Sequence, residues 1–318
     1  MSWVFLGKDH VLKLKKPVSY PFLDFSTLAK RRFFCEEELR LNRRLAAETY
    51  RSVIPLYNRS AGQLSFDPPG RIVDWLVVMC RLPEQDMLDR RIKDKRLEER
   101  ELHDVARKLA DFYATCPPQV ADGATYPALL VREQQVNRSI LLRSEFDLRE
   151  AGAAALLDDV DNGIEEMRQL VEARIAAGLV VEGHGDLRPE HVCLVSPPQI
   201  IDCLEFNRSM RILEPYDEVN YLGLECDLLG APWARTVLLD TLEQHLGNRP
   251  DRRLLGLYGG FRCLVRARLC LAHLLEHPVR HPEKWRPLTL AYLAMAAREC
   301  ISLRRPKVPK WIRPNAAF

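Results

Sequence analysis

The chain has 318 residues, of which 47% are hydrophobic and 29% charged, a composition typical of soluble globular proteins. Its net charge of +3 is too small to argue for nucleic acid as a partner, and no apolar run is long enough to predict a membrane span. The nine cysteines form no C-x-x-C pair and the first residues do not resemble a signal peptide, so we expect reduced thiols and a cytoplasmic location.

The first 82 residues are predicted to form a small β-rich lobe with one main helix. A tight turn at Gly7-Lys8-Asp9 joins two strands, and Lys13 and Lys15 share one face of the second strand because side chains alternate. A connector at Arg81-Leu82-Pro83 marks the predicted lobe boundary. The predicted strands are Ser2–Leu6, Val11–Lys15, Val53–Leu56, Leu64–Phe66 and Ile72–Met79, and the predicted helix is Leu28–Ala47.

The main helix of this lobe carries a carboxylate within its apolar stripe. Ser26 or Thr27 is the expected N-cap, and Glu38 interrupts the run of apolar positions. A strand lysine positioned by a helix glutamate is suited to the phosphates of a nucleotide, so Lys13 and Glu38 are candidate nucleotide-binding residues. The alternative is that both are ordinary surface charges, since Lys15 lies on the same face as Lys13.

From residue 83 onward the pattern becomes helical, so the sequence predicts an α+β protein with a larger helical C-terminal lobe, residues 83–318. Gly178 is the expected C′ residue of a helix, and Ser196-Pro197-Pro198 is predicted to turn a hairpin between Val192–Val195 and Gln199–Ile201. A short strand is expected at Leu179–Val181. The predicted helices are Leu97–Cys116, Val136–Leu142, Ile164–Ala177, Tyr221–Leu229, Thr236–Leu246, Phe261–Leu275 and Trp285–Ser302, followed by an irregular tail, Arg304–Phe318.

The segment His184-Gly185-Asp186-Leu187-Arg188-Pro189-Glu190-His191 is the most informative part of the sequence. Gly185 permits a tight backbone bend, and Pro189 restricts the loop that follows. In the functional interpretation, Asp186 orients and deprotonates a substrate hydroxyl. In the structural interpretation, it is a loop aspartate that caps its own backbone.

A second candidate group follows the hairpin. Pairing across the predicted turn brings Asp202 beside the residues just after His191. A carboxylate at the end of a buried strand must be paired or bind a cation, and Mg²⁺ prefers oxygen ligands. His191 is a further candidate metal ligand, and Glu205 either supports the cation through water or holds the loop.

These motifs resemble a known family. The H-G-D-x-x-x-x-H segment followed by Ile201-Asp202 is similar to the H-G-D-L-H-x-x-N and I-D motifs of the aminoglycoside phosphotransferase and choline-kinase-like branch of the protein-kinase-like superfamily. The resemblance implies a two-lobed kinase-like fold, Asp186 as catalytic carboxylate and Asp202 as metal ligand. It also implies a nucleotide at the lobe junction, near Met79 and Arg81. Further segments resemble an uncharacterised bacterial aminoglycoside phosphotransferase-like group: Trp3–Leu6, Leu14–Pro17, Leu23–Leu28, Lys30–Arg32, Cys35–Leu45 and Asp202–Asn207.

Two residues of the motif differ from the family pattern. His191 stands where the family has a metal-binding Asn, and imidazole is a poor ligand for Mg²⁺. One metal site is therefore expected to be lost, altered or served by Mn²⁺. Arg188 replaces the usual second His and either binds phosphate in the catalytic site or pairs with an acid.

Three functions are consistent with the sequence. The first is an ATP-dependent phosphotransferase that moves the γ-phosphate to a hydroxyl of an unidentified small molecule, with Mg²⁺ or Mn²⁺ as cofactor. The second is a non-catalytic nucleotide-binding protein. The third is a metal-dependent hydrolase using His184, Asp186, His191 and Asp202. The sequence identifies neither the acceptor nor the nucleotide base, and it does not predict the oligomeric state.

Overall fold

The computed structural model describes residues 1–20, 22–59, 62–119, 125–276 and 278–304. A β-rich N-terminal region with one main helix precedes a larger region that is mainly helical, which confirms the predicted α+β class. The strands are β1 (Ser2–Leu6), β2 (His10–Lys15), β3 (Ser19–Tyr20), β4 (Leu23–Asp24), β5 (Tyr50–Asn58), β6 (Leu64–Ser65), β7 (Arg71–Cys80), β8 (Val181–Glu182), β9 (Val192–Cys193), β10 (Gln199–Ile200) and β11 (Ile212–Leu213). The α-helices are α1 (Leu28–Ala46), α2 (Leu88–Lys93), α3 (Glu99–Thr115), α4 (Thr125–Leu141), α5 (Ala153–Glu166), α6 (Arg168–Ala176), α7 (Pro215–Leu228), α8 (Trp233–Leu246), α9 (Arg252–Ala272) and α10 (Pro282–Cys300).

An antiparallel sheet of five strands, in the order β1-β2-β7-β5-β6, organises the N-terminal region. In its register, Lys13 lies opposite Val4 on one side and Val77 on the other. Because side chains alternate along a strand, the lysines of β2 share one face of this sheet. Lys13 and Lys15 are therefore both able to reach the same carboxylate, that of Glu38.

Helix α1 packs against this sheet. The Thr27 side chain accepts a hydrogen bond from the Lys30 backbone N–H at 3.2 Å, so Thr27 is the N-cap and the choice between Ser26 and Thr27 is resolved. Its buried residues recur every three or four positions, as expected for a helix with one face in a core. A hydrophobic cluster beneath the helix contains Cys35, Ala46, Tyr50, Val77 and Met79.

The helical region differs from prediction at several boundaries. The predicted helix Ile164–Ala177 is wrong as one element, because α5 ends and α6 begins on either side of Met167, whose φ of −100° and ψ of 7° are not helical. Predicted Val136–Leu142 is only the last part of α4. Leu97 precedes α3, which starts at a reciprocal capping box formed by Glu98 and Glu101.

Short strands surround the H-G-D segment. Strands β9 and β10 pair antiparallel as the predicted hairpin, with Val192 opposite Ile200, and β8 pairs with β11. Gly178 has a φ of +74° and follows α6 as the predicted C′ residue. Apart from Arg304, the predicted irregular tail lies outside the described residues.

Two compact units can be distinguished in the chain. One comprises Met1–Leu129 and Leu170–Arg249, and the other comprises Leu130–Gln169 and the chain from Pro250 onward. All the candidate site residues named above belong to the first unit. The predicted lobe boundary at residues 82 and 83 falls inside that unit and stays a prediction. No helix in the described part of the chain is both long and apolar enough to cross a membrane.

Candidate active site

The bend that precedes Asp186 is held by a buried glutamate of α7. The carboxylate of Glu218 accepts hydrogen bonds from the backbone N–H groups of His184 at 2.9 Å and Gly185 at 2.6 Å. The Tyr113 hydroxyl donates to the same carboxylate at 2.7 Å. Gly185 has a φ of +89°, a conformation that side chains other than glycine rarely adopt. Three donors on one carboxylate therefore fix the glycine turn that precedes Asp186.

The ring of His184 links this bend to the strand that precedes Asp202. Its Nε2 lies 2.8 Å from the Ile201 carbonyl oxygen, and its Nδ1 accepts a hydrogen bond from the Asp186 backbone N–H at 3.3 Å. Because a carbonyl oxygen can only accept, Nε2 carries the proton of a neutral ring. Burial lowers the pKa of His184, which favours that neutral form.

This arrangement counts against the metal-hydrolase interpretation. Both ring nitrogens of His184 are already engaged, so the four-ligand set proposed for such an enzyme loses a member. Within the described ranges, no group of three or more His, Cys, Asp or Glu side chains is arranged to hold a metal ion.

Asp186 and Asp202 face different nitrogens of one imidazole, that of His191. The Nδ1 atom of His191 is 3.8 Å from Oδ2 of Asp186, and its Nε2 is 3.8 Å from Oδ2 of Asp202. The His191 side chain is 12% exposed, whereas that of Asp202 is 42% exposed. The two acids that the sequence places sixteen residues apart thus lie near a common side chain, and Asp202 remains open to solvent.

The backbone of Asp202 is itself constrained. Its φ of +62° lies in the left-handed region, where Asp is one of the better tolerated non-glycine residues. The Asp202 backbone N–H donates to the Tyr50 hydroxyl at 3.2 Å, and the next N–H, that of Cys203, donates to Oδ1 of Asn42 at 2.9 Å. These two bonds tie the loop after β10 to β5 and α1.

A network of two lysines and three carboxylates joins β2, α1 and the Asp202 loop. Lys13 Nζ lies 2.5 Å from Oδ1 of Asp202 and 2.6 Å from Oε1 of Glu38. Lys15 Nζ lies 2.7 Å from Oε2 of Glu38 and also contacts Oε1 of Glu205. The side chains of Lys15 and Glu38 are 1% and 2% exposed, so this pair is sealed inside the protein.

Both lysines of the network, and the carboxylates of Glu38 and Asp202, stay charged because each is paired with an opposite charge. Burial opposes the charged form of every member, yet the neighbouring carboxylates raise the pKa of Lys13 and Lys15 above the ordinary lysine value. Burial opposes ionisation of Glu38, but Lys13 and Lys15 hold the pKa of its carboxyl below the ordinary value. Removal of part of Asp202 from water has the same effect on that carboxyl, but Lys13 holds its pKa below the ordinary value. Glu205 is the exception, because burial outweighs the effect of Lys15 and raises the pKa of its carboxyl.

Several predicted site residues have identifiable partners. The expected contact between Lys13 and Glu38 is present, and Glu205 contacts Lys15, as expected if it holds the loop. Arg188 forms an ion pair with Glu190, and its Nε is 4.0 Å from Oε2 of Glu225. The roles assigned to these residues stay predictions.

The two residues predicted to lie near the nucleotide differ in environment. Met79 is buried in the cluster beneath α1. Arg81 donates from its guanidinium to the Gly7 carbonyl at 2.8 Å and from its backbone N–H to the Asp9 carbonyl at 2.9 Å. Arg81 therefore ties the connector to the turn between β1 and β2, and its nucleotide role stays a prediction.

Four residues that support the site were not assigned a role from the sequence: Lys15, Asn42, Tyr50 and Glu218. A signal existed for Lys15, since it shares the face of Lys13, and for Asn42, which lies one helical turn after Glu38. Nothing local marks Tyr50 or Glu218, because their partners are distant in sequence.

Comparison with known proteins gives relatives without an established function. No protein-family model matches the chain. Uncharacterised proteins of Mycobacterium tuberculosis and Mycobacterium bovis are 28% identical to it over 276 residues, which is 84% of this chain and 52% of each relative. The chain therefore spans about half the length of the curated relatives it matches.

Two solved structures show a loose likeness. A spectinomycin phosphotransferase in complex with ADP and spectinomycin is 12% identical, with a TM-score of 0.48 over 95% of this chain and 92% of that chain. An ethanolamine kinase of Plasmodium vivax is 11% identical, with a TM-score of 0.44 over 93% of this chain and 81% of that chain. The functional assignment below consequently depends on the contacts within the site.

Proposed function

We propose that this protein is an ATP-dependent phosphotransferase that moves the γ-phosphate of the nucleotide to a hydroxyl of a small molecule. The observation that supports the proposal is the shared contact of Lys13 with Glu38 and Asp202. Phosphoryl transfer between oxygen atoms requires positioning and charge stabilisation more than covalent chemistry. Lys13 would provide positive charge for the phosphate oxygens, and its contacts with Glu38 and Asp202 would hold it in position.

The residues around Asp202 fit a divalent cation. The network contains two lysines and three carboxylates, so it carries one net negative charge when all five side chains are ionised, and this charge favours a nearby cation. Asp202 would supply an oxygen ligand from its partly exposed carboxylate. When bound, Mg²⁺ or Mn²⁺ would neutralise the phosphate oxygens during transfer.

Lys13 is the lysine suited to contact the nucleotide phosphates. Its side chain is 15% exposed and reaches the open side of the network at Asp202, whereas Lys15 is enclosed. Glu38 would hold the Lys13 ammonium in place through its Oε1 while its Oε2 remains paired with Lys15. The nucleotide base is proposed to lie near Met79 and Arg81.

Asp186 would act on the acceptor. Its carboxylate would orient the substrate hydroxyl, whose oxygen forms a bond to the γ-phosphorus as the bond to the β,γ-bridging oxygen breaks. The hydroxyl proton would pass to Asp186, and ADP would leave with the bridging oxygen. Arg188 is a secondary candidate for phosphate contact, because it would first have to leave its ion pair with Glu190.

A second candidate function is nucleotide binding without turnover. The direct ion pair between Lys13 and Asp202 favours it, because that contact occupies an oxygen otherwise suited to a cation. The two functions differ in whether nucleotide binding leads to a phosphorylated product.

The test is phosphate transfer from ATP to a panel of hydroxylated small molecules, with Mg²⁺ and with Mn²⁺. We expect Asp186→Asn to lower kcat about 10²- to 10⁴-fold while ATP still raises the melting temperature. Asp202→Asn should lose the metal-dependent part of that stabilisation. Asp111→Asn, at an exposed position of α3, is the matched control. Full transfer by both site variants would refute the proposal, and stabilisation by ATP without product from any acceptor would favour the second function.

A further inference from the structure

An open groove between α1 and β5 has no part in the function proposed above. Its volume is about 610 Å³, and it is lined by residues of α1 from Glu36 to Arg43 and by Arg51, Ser52 and Val53 of β5. Pockets that bind small molecules have volumes of about 300–1,000 Å³. None of the lining residues belongs to the network of two lysines and three carboxylates. This α1–β5 groove is therefore a separate candidate site.

Two charged side chains of the groove are neutralised by neighbours on the same helix. Glu36 accepts a hydrogen bond on Oε1 from Arg32 Nε at 2.8 Å. Arg40 donates from Nε and Nη2 to the two carboxylate oxygens of Glu37, each at 2.8 Å. In such a bidentate pair the arginine and the carboxylate satisfy each other. The net charge of the groove is therefore decided by its two remaining arginines.

Those two arginines, Arg43 and Arg51, are held by neutral acceptors. Arg43 donates from Nε to the Tyr50 carbonyl oxygen at 3.0 Å and from Nη2 to the Arg51 carbonyl oxygen. Arg51 Nε donates to Sγ of Cys80 at 2.9 Å. Across the part of the chain that the structure describes, neither guanidinium forms an ion pair with a carboxylate. A guanidinium has five N–H donors, so both arginines keep donors and an uncompensated positive charge after these contacts.

Apolar surface lies beside the two charges. Leu39 and Val53 line the same groove, and both are partly buried against the hydrophobic cluster beneath α1. A ligand in the groove would therefore meet two anchored guanidinium groups and an apolar wall. This combination favours an anionic group attached to a carbon skeleton over an isolated ion.

We propose that the α1–β5 groove binds a small phosphate monoester, with its phosphate at Arg43 and Arg51 and its carbon skeleton against Leu39 and Val53. A phosphate monoester carries a charge of about −1.5 to −2 at pH 7, which matches two guanidinium groups, whereas a carboxylate carries only one charge. The planar fork of arginine also fits phosphate oxygens through paired hydrogen bonds. This proposal does not depend on the phosphotransferase assignment.

The experiment measures the binding of phenyl phosphate to the whole protein by isothermal titration calorimetry. We expect the affinity to fall about tenfold or more in Arg43→Gln and in Arg51→Gln, because each loses charge-assisted hydrogen bonds to the phosphate. Arg51→Gln gives up only a thiol contact, so it stays informative if Arg43→Gln fails to fold. Arg40→Gln is the matched control and should change the affinity less than about threefold, because Glu37 already neutralises Arg40.

Further titrations identify the site and the chemistry of the ligand. Lys13→Met should bind phenyl phosphate as the natural protein does, and loss of binding in Lys13→Met alone would place the ligand in the nucleotide site. Phenyl sulfate, with one negative charge, and inorganic phosphate, with no carbon skeleton, should both bind more weakly than phenyl phosphate. Equal affinity for either probe would overturn the proposed ligand class. Absence of phenyl phosphate binding, or undiminished binding in both Arg43→Gln and Arg51→Gln, would overturn the site and leave the phosphotransferase proposal intact.

Discussion

The Lys13 ammonium lies 2.5 Å from Oδ1 of Asp202, although 189 positions separate the two residues. Lys15, two residues along the same strand, contacts Glu38 and Glu205 in the interior. The strand thus provides one lysine at the accessible edge of the network and one that neutralises buried acids. This division predicts that the same substitution mainly affects activity at Lys13 and mainly affects stability at Lys15.

Lys13→Met is expected to abolish phosphate transfer with only a modest loss of stability, because Lys15 still neutralises Glu38. Lys15→Met should destabilise the fold by about 3–5 kcal/mol, since removing one partner of a buried ion pair leaves uncompensated charge. Urea unfolding and product formation measure the two effects separately. Equal destabilisation by the two substitutions would contradict the assignment of roles.

Glu218→Gln is expected to weaken the bend before Asp186. The new amide nitrogen cannot accept hydrogen bonds, so at least one of the three donors around residue 218 loses its partner. A lost hydrogen bond to a charged group costs about 1.5–3 kcal/mol. Tyr113→Phe, which removes one donor and keeps the carboxylate, is the control and should cost less. Chemical denaturation of both variants provides the comparison, and equal losses would argue against a dominant role for the backbone contacts.

Gly185→Ala should destabilise the protein more than Gly230→Ala. Both glycines have positive φ, +89° and +102°, so both substitutions introduce backbone strain. Only at Gly185 would the new Cβ also approach neighbours, at 3.0 Å from Cγ of Arg211 and 3.1 Å from Cβ of Leu204. Around Gly230 no atom lies within 4 Å of the added carbon. Thermal unfolding of the two variants tests the difference, which should reach about 1 kcal/mol or more if Arg211 cannot yield.

The stability of the protein should depend on pH through His184. Burial lowers the pKa of this ring below its ordinary 6.5, so the unfolded chain binds a proton more readily than the folded one. The stabilisation associated with the neutral ring is therefore complete above pH 6.5 and is lost as the pH falls from 6.5 toward the lowered folded value. The loss approaches about 1.4 kcal/mol per pH unit for one proton. Urea midpoints between pH 7.5 and 5 should show a shallower slope in His184→Gln than in the natural protein, whatever the absolute stability of the variant. Parallel slopes would exclude His184 as the source.

Local patterns were sufficient to predict the elements that carry the site. Alternation along β2 put Lys13 and Lys15 on one face, and the proline-rich turn at Ser196-Pro197-Pro198 predicted the hairpin that leads to Asp202. Helical spacing located Glu38 among apolar neighbours on α1. These inferences succeeded because each depends on interactions between residues close in sequence.

The remaining features depend on tertiary contacts. The sequence does not decide between the two roles of Glu205, because its partner, Lys15, is 190 residues away. The support for the H-G-D bend comes from Glu218, which is 34 residues from His184 and 33 residues from Gly185. The break between α5 and α6 at Met167 lies inside a continuous run of helix-compatible residues, so periodicity alone extends the helix through it.

The amide of Asn42 has a consequence for how the site is assembled. Its nitrogen donates to the Glu38 carbonyl at 2.8 Å, while its oxygen accepts from the backbone of Cys203, the residue after Asp202. If α1 moved away from this loop, the buried Asn42 side-chain oxygen and the buried Cys203 N–H would both lose their hydrogen-bond partner. Each unsatisfied group costs about 1–3 kcal/mol. We therefore expect Glu38 and Asp202, which both contact Lys13, to keep their relative positions and to move together whenever strand β2 moves.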